Sequence, residues 1–218
     1  MLIHGVELIG RGERLRVDVG ADAPIELAAA VCPPLAPGDD IASETLLMLR
    51  EATADHDARE AALRLLSYRP RSQGELRDRL QRKGIDLARI ERCLGSLRDA
   101  GFLDDVAFSE AHTRDAVRLR PRGSRRLVSE LRRKGVAEAT ATAAVQRVML
   151  EEGSAEAELA QRAAEGWYRR AGDEARALLC GAGERAEIER VRRRFWGYMS
   201  RRGFGPDTVR AALEMICA

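Results

Sequence analysis

The apolar positions of this chain change period once. Leu15, Val17 and Val19 alternate with Arg14, Arg16 and Asp18, the two-residue period of a half-buried strand. Gly20-Ala21-Asp22-Ala23-Pro24 supplies turn chemistry before a second short run, Ile25-Glu26-Leu27, and Ile3 to Ile9 can form a third strand. Pro33-Pro34-Leu35-Ala36-Pro37-Gly38 is a breaker, and Ser43 opens a helical run through Leu46, Leu47 and Leu49. From Asp57 onward the spacing is that of a helix throughout. Asp57-Ala58-Arg59-Glu60 and Ser72-Gln73-Gly74-Glu75 each have a short polar cap with Glu three residues later, which predicts two helix starts.

Within the helical part the pattern repeats. Leu76 and Leu80 precede Arg82-Lys83-Gly84-Ile85. Leu127 and Leu131 precede Arg132-Arg133-Lys134-Gly135-Val136, and Phe195 and Met199 precede Arg201-Arg202-Gly203-Phe204. Apolar residues recur ten and thirteen positions past each glycine, at Leu94 and Leu97, Val145 and Val148, and Leu213 and Ile216. Anchors four apart share one helix face, and a glycine behind a basic last turn is a C-terminal cap. A preceding helix, over 58–68, 105–119 and 155–171, completes each unit. The prediction is a mainly α chain of tandem three-helix, helix-turn-helix-like repeats in an elongated curved array, behind a small β-rich head. Its parts are a head at 1–56, modules at 57–103 and 104–152, and a third at 153–218 with an insertion near 172–184.

Charge sharpens this division. The net charge of +2 over 218 residues hides an acidic head, with four Arg against ten Asp or Glu in residues 1–56, and a body with 33 basic and 25 acidic side chains. Only Lys83 and Lys134 are lysines; so strong an Arg bias follows GC-rich coding and is not itself a sign of phosphate recognition. The N-terminus lacks a basic region followed by an apolar one, and no stretch approaches the ~20 apolar residues of a membrane span. The expectation is a soluble cytoplasmic monomer that does not engage membranes. Cys32, Cys93, Cys180 and Cys217 are scattered, with no CxxC pair, and read as isolated buried thiols.

Enzyme signatures are missing. The chain has no GxxxxGK[ST], GxSxG or HExxH motif, and Gly181-Ala182-Gly183 lacks the strand-turn-helix context of a nucleotide fingerprint. Asp104-Asp105 reads as an acidic N-cap rather than a metal site, and His112 as a structural or surface residue. No catalytic residue, cofactor or metal is expected. Trp167, Tyr168, Trp196 and Tyr198 read as core packing of the third module.

What remains is recurring positive charge. Arg69 and Arg71 flank Pro70 as Arg120 and Arg122 flank Pro121, at matching turns, and Arg82-Lys83, Arg125-Arg126, Arg132-Arg133-Lys134, Arg192-Arg193-Arg194 and Arg201-Arg202 continue the series. One such run is a solvated helix face. Repetition at equivalent positions suits an elongated acidic or phosphate-bearing partner. A stand-alone DNA-binding module is the alternative, because three-helix units can place a helix in the major groove. The basic helices carry few Asn or Gln for base reading, and aromatics, at 4%, are too sparse for a stacking platform.

These residues resemble a known family. Ala62-Leu63-Arg64-Leu65-Leu66-Ser67-Tyr68-Arg69-Pro70-Arg71-Ser72, with Glu75-Leu76, Leu80 and Lys83-Gly84, is similar to the opening module of RecX regulators. Gly101-Phe102-Leu103-Asp104-Asp105 with Phe108 resembles that family's most distinctive motif, and the segments ending at Val136 and Phe204 resemble its later modules. The likeness covers residues 58–217. Two departures stand out: His112, where an aromatic is common, and the insertion around Cys180. The resemblance implies a non-enzymatic modulator of the RecA recombinase that binds the RecA–single-stranded DNA filament in its groove. It also implies suppression of ATP hydrolysis, strand exchange and co-protease activity. The repeated basic turns make Arg69, Arg71, Arg120, Arg122 and the basic helix ends the expected contacts to acidic RecA surfaces or to DNA phosphate.

Overall fold

A computed structural model describes residues 1–20, 23–153 and 155–218. Three antiparallel strands, β1 (Gly5–Ile9), β2 (Arg14–Asp18) and β3 (Ile25–Ala28), form a sheet in chain order. The register sets Val6 against Val17 and Val17 against Ile25. The alternation therefore puts one face of β2 inward. Val17 and Leu27 are fully buried, packing with Ile3, Ile25 and Ile41. The Ala21-Asp22 part of the expected turn lies outside the described residues.

Helices follow without a further strand among the described residues: α1 (Ser43–Tyr68), α2 (Gln73–Gln81), α3 (Leu87–Asp99), α4 (Asp105–Leu119), α5 (Ser124–Arg133), α6 (Glu138–Glu151), α7 (Glu156–Arg170), α8 (Asp173–Leu179), α9 (Arg185–Arg201) and α10 (Pro206–Cys217). Asp57 does not start a helix. It lies inside α1, because Arg50 to His56 contain no breaker, and its carboxylate takes Arg14 Nη2 at 2.8 Å. Leu46 and Leu49 of α1 cover the sheet, and Ala62, near its other end, enters the first helical core. Ser72 does cap its helix, accepting the Glu75 amide at 3.1 Å.

The repeat is real in backbone detail. Leu76, Leu80, Leu127, Leu131, Phe195 and Met199 are all fully buried. Gly84, Gly135 and Gly203 have φ of +82°, +79° and +85°. In each case the next amide reaches back to the second anchor: Ile85 N to Leu80 O, Val136 N to Leu131 O, Phe204 N to Met199 O. This is the hydrogen bond of a Schellman cap, whose left-handed position is filled best by glycine. The third module departs at the following helix. Leu94, Leu97, Val145 and Val148 are buried, whereas Leu213 and Ile216 are only partly so, and Val209 and Ala212 fill the core instead.

By contact density the chain divides into two compact units, Met1–Pro70 with Leu76–Leu103, and Arg71–Glu75 with Asp104–Ala218. The first holds the sheet, α1, most of α2 and α3, with cores around Leu27 and Leu94. In the second, α4 shares its faces between two cores. Ala116 joins Leu127, Leu131 and Val145, while Val117 joins Leu159, Phe195 and Val209. Burying an anchor the size of Phe195 contributes about 2–3 kcal/mol.

The thiols are not all isolated. Cys180, just after α8, and Cys217, the last residue of α10, form a disulfide with Cα atoms 5.3 Å apart, whereas Cys32 and Cys93 are free. The expectation of four separate thiols fails because the pair is 37 residues apart and is brought together only when α8 and α10 pack around α9. No helix among the described residues is long and apolar enough to cross a membrane.

Candidate polyanion-binding groove

The second unit carries an open groove of about 770 Å³ lined by nine arginines and two glutamates. Its walls are the end of α4 and the turn after it (Arg118, Arg120, Arg122), the start of α5 (Arg126), one face of α7 (Arg162, Arg169, Arg170) and the end of α9 (Arg201, Arg202). Tyr198 lies at its floor. The Arg202 guanidinium stands 4.0 Å from the Tyr198 ring centroid, and Arg170 donates to its hydroxyl at 2.8 Å. Two helical glycines make room for the cations: a Cβ on Gly197 would meet Arg201 Nη1 at 3.2 Å, and one on Gly166 would meet Arg170 Nη1 at 3.7 Å.

Countercharge in the groove is concentrated on one carboxylate. Glu130 takes Arg126 Nε at 2.7 Å and also pairs with Arg122. Burial disfavours the charged Glu130, but the hydrogen bonds and charges of Arg126 and Arg122 more than offset this and hold its pKa below the usual carboxylate value. Arg118 is paired with Glu152 at 2.7 Å. Among the described residues, no carboxylate comes within ion-pair distance of Arg120, Arg162, Arg169, Arg170, Arg201 or Arg202. Crowding has a consequence at Arg202: burial, together with the nearby charges of Arg170, Arg122 and Arg201, lowers its pKa. So many forked donors converging on a partly enclosed space focus a positive potential, and the guanidinium fork matches carboxylate and phosphate oxygens.

The groove grows out of a contact that occurs twice in this unit. At the first joint, the turn Arg71–Glu75 meets the end of α5. Ser72 Oγ donates to Lys134 O, the Gln73 amide donates to Asp105 Oδ1 at 2.9 Å, and Lys134 Nζ pairs with Glu75 at 3.1 Å. At the second joint, residues at the same offsets from the capping glycines meet the end of α9. The Gly123 amide donates to Arg202 O at 2.8 Å, and Ser124 Oγ donates to Glu156 Oε2 at 2.6 Å. Where Glu75 faces Lys134 in the first, Arg126 occupies the matching place near Arg202 in the second. The backbone joint is kept and its ion pair is replaced by two cations.

Of the predicted basic residues, the fold brings together Arg120, Arg122, Arg126, Arg201 and Arg202. The others go elsewhere. Arg71 is buried at 8% exposure, Lys134 is committed to Glu75, and Arg132 pairs with Glu138 at 3.3 Å. Arg125 and Arg132 line a separate shallow hollow between α5 and α6. Arg192 donates to the Leu179 carbonyl at the end of α8, and Arg133 and Arg193 are exposed. Arg69, Arg82 and Lys83 are exposed on the first unit. Sequence reasoning missed Arg118, Arg162, Arg169 and Arg170; the Arg169-Arg170 pair after Gly166 was the available signal. Tyr198 packs against the core as expected, but also floors the groove. Asp104 is an N-cap, accepting the Val106 and Ala107 amides at 2.8 and 2.9 Å. His112 is half-buried beside Glu130, and burial and the Lys134 charge lower its pKa. No group of three or more potential metal ligands exists among the described residues.

Comparison with known proteins agrees with this architecture. Residues 58–106 match the family model of the first three-helix domain of RecX, and residues 104–145 that of the second. The chain is 34% identical over 155 residues to the regulatory protein RecX of Pelodictyon phaeoclathratiforme, covering 71% of this chain and 86% of that one. It is 33% identical over 165 residues to that of Halorhodospira halophila, covering 76% and 91%. A crystal structure of regulatory protein RecX shares the fold, with a TM-score of 0.68 at 22% identity over 99% of this chain and 98% of that one. With the capped three-helix repeat, the Gly101–Asp105 motif and these similarities in agreement, the chain belongs to the RecX family of regulatory proteins.

Proposed function

We propose that this protein regulates the RecA recombinase without chemistry of its own. It binds the RecA–single-stranded DNA filament in its helical groove and suppresses ATP hydrolysis, strand exchange and co-protease activity. Family membership supports a regulatory role, and the observation that carries the binding mode is the arginine groove of the second unit, in which nine arginines meet only two glutamates. A filament of protein and nucleic acid offers a repeating array of negative groups, and a concave cationic wall with unneutralised guanidinium groups binds such an array through charge. Tyr198 is already covered by Arg202, so stacking of bases on it contributes nothing.

The test is RecA ATP hydrolysis on single-stranded DNA, with RecA from the same organism. Addition of this protein should lower the rate, and an Arg120→Glu/Arg201→Glu double variant should lower it much less. An unchanged rate at several-fold excess over RecA overturns the regulator reading. Tight, steeply salt-dependent DNA binding combined with no effect on RecA would favour a stand-alone DNA-binding module instead.

A further inference from the structure

We propose that the second joint is a phosphate-binding subsite in which a bound phosphate oxyanion supplies to Arg202 the negative charge that Glu75 supplies to Lys134 in the first joint. This rests on the groove being the anion-binding face. It is tested without RecA, so its failure is distinct from failure of the filament reading.

The two joints share a backbone and differ in charge. Both hold the cap of one helix against the start of another through a hydrogen bond to the penultimate carbonyl, Lys134 O or Arg202 O. Both seat the capping glycine tightly. A Cβ on Gly135 would lie 2.6 Å from the Gly74 Cα, and one on Gly203 would overlap the Arg126 Cβ. With the backbones this close, the residues at the matching positions, Glu75 with Lys134 and Arg126 with Arg202, start from adjacent stretches of chain. In the first joint they are opposite charges and neutralise each other. In the second they are both guanidinium groups, and Glu130 is already shared between Arg122 and Arg126. Arg202 is left with Tyr198 as its nearest attractive neighbour and with Arg201 beside it in the chain. A contact with this charge pattern is complete only when an anion enters.

Phosphate fits better than carboxylate for a geometric reason. The donors come from the α4–α5 turn, α5, α7 and α9, and so approach from several sides rather than in one plane. A tetrahedral oxyanion presents oxygens in all of those directions, whereas a planar carboxylate is satisfied by one or two forks. The 770 Å³ opening exceeds one phosphate group, which leaves room for consecutive phosphates of a chain. Arg126, standing where the first joint has Glu75, is the residue that determines specificity.

Affinity and thermal midpoint should be measured on the full chain with tripolyphosphate, a dT oligonucleotide and poly-glutamate, each against sodium chloride of equal ionic strength. The wild type should rise in midpoint with tripolyphosphate, with the oligonucleotide, or with both. A response to tripolyphosphate alone identifies free phosphate compounds as the source, and a response to the oligonucleotide identifies the phosphodiester backbone. Arg126→Glu, which rebuilds the charge pattern of the first joint, should lose about tenfold in affinity and most of the midpoint shift. Arg201→Gln, which breaks no ion pair, should keep the wild-type midpoint without ligand and bind severalfold more weakly, and it serves if Arg126→Glu does not fold. An equal response to poly-glutamate, wild-type affinity in both variants, or no response beyond that of sodium chloride would each overturn the proposal.

Discussion

The two joints of the second unit are built on the same plan and differ in charge. In each, a cap carbonyl, a left-handed glycine and the opening turn of a helix lock together through backbone atoms and small side chains. The first then closes its charges internally, Lys134 on Glu75, while the second leaves Arg202, Arg201 and Arg170 without a carboxylate at ion-pair distance among the described residues and opens into the groove. Geometry in this repeat is therefore carried by the glycine and the carbonyl. The charged positions around them are exchanged between the joints, with Arg126 standing in the second where Glu75 stands in the first.

The largest effects should come from breaking the shared geometry. Gly135→Ala and Gly203→Ala combine a left-handed backbone with a Cβ inside 3 Å of neighbouring atoms, and each should cost about 3 kcal/mol or more. Gly84 has a similar φ but open space where a Cβ would stand, with nothing within 4 Å, so Gly84→Ala should cost only about 1–2 kcal/mol. Denaturant unfolding of the three variants measures the difference, and equal losses would show that the close approach carries no energy.

Next in size is the covalent tie of the third module. Reduction, or Cys180→Ser, should lower stability by about 2–4 kcal/mol, because the bridge closes a loop of 37 residues in sequence separation. Thermal unfolding with and without reductant reads this directly.

Charge reversal should then separate the joints by sign. Lys134→Glu sets two carboxylates against each other at the first joint and should destabilise by about 1 kcal/mol. Arg202→Glu places a carboxylate beside Arg170 and Arg122 and should be neutral or stabilising by a similar amount. Two losses of equal size would contradict the charge assignment.

The smallest effect is pH dependence. His112 has a folded-state pKa depressed below its ordinary 6.5, so its contribution is whole above that value and is lost as pH falls through the folded pKa. Glu130, depressed below the usual carboxylate value, contributes stability that is present above 4.5 and is lost as pH falls through its own lower folded pKa. Acidification should therefore weaken the fold in two successive windows. His112→Phe should remove the upper one and Glu130→Gln the lower, as followed by the unfolding midpoint against pH.

Much of the fold is legible in the chain itself. Apolar anchors four apart, a basic last turn and a glycine specify a capped helix by local physics alone. For the same reason the α4 boundary at Asp104 and the strands around Val17 can be read from their neighbours. Asp57 is the counterexample, because a local signal cannot tell a helix start from a polar turn in the middle of a longer helix.

The groove is only half legible, for a physical reason. A run of arginines states how much charge a segment carries. Whether that charge is neutralised depends on carboxylates that arrive from elsewhere in the chain: Glu75 reaches Lys134 across 59 positions, and Glu152 reaches Arg118 across 34. The repeat, its caps and the positive character of its turns are written in the order of residues, since they are set by neighbours a few positions apart. Only folding brings Cys180 to Cys217, buries Arg71, and puts Arg120, Arg122, Arg126, Arg201 and Arg202 in one groove with Arg169 and Arg170. Each of those facts follows from long-range packing of α4, α7, α9 and α10, which a short-range pattern does not encode.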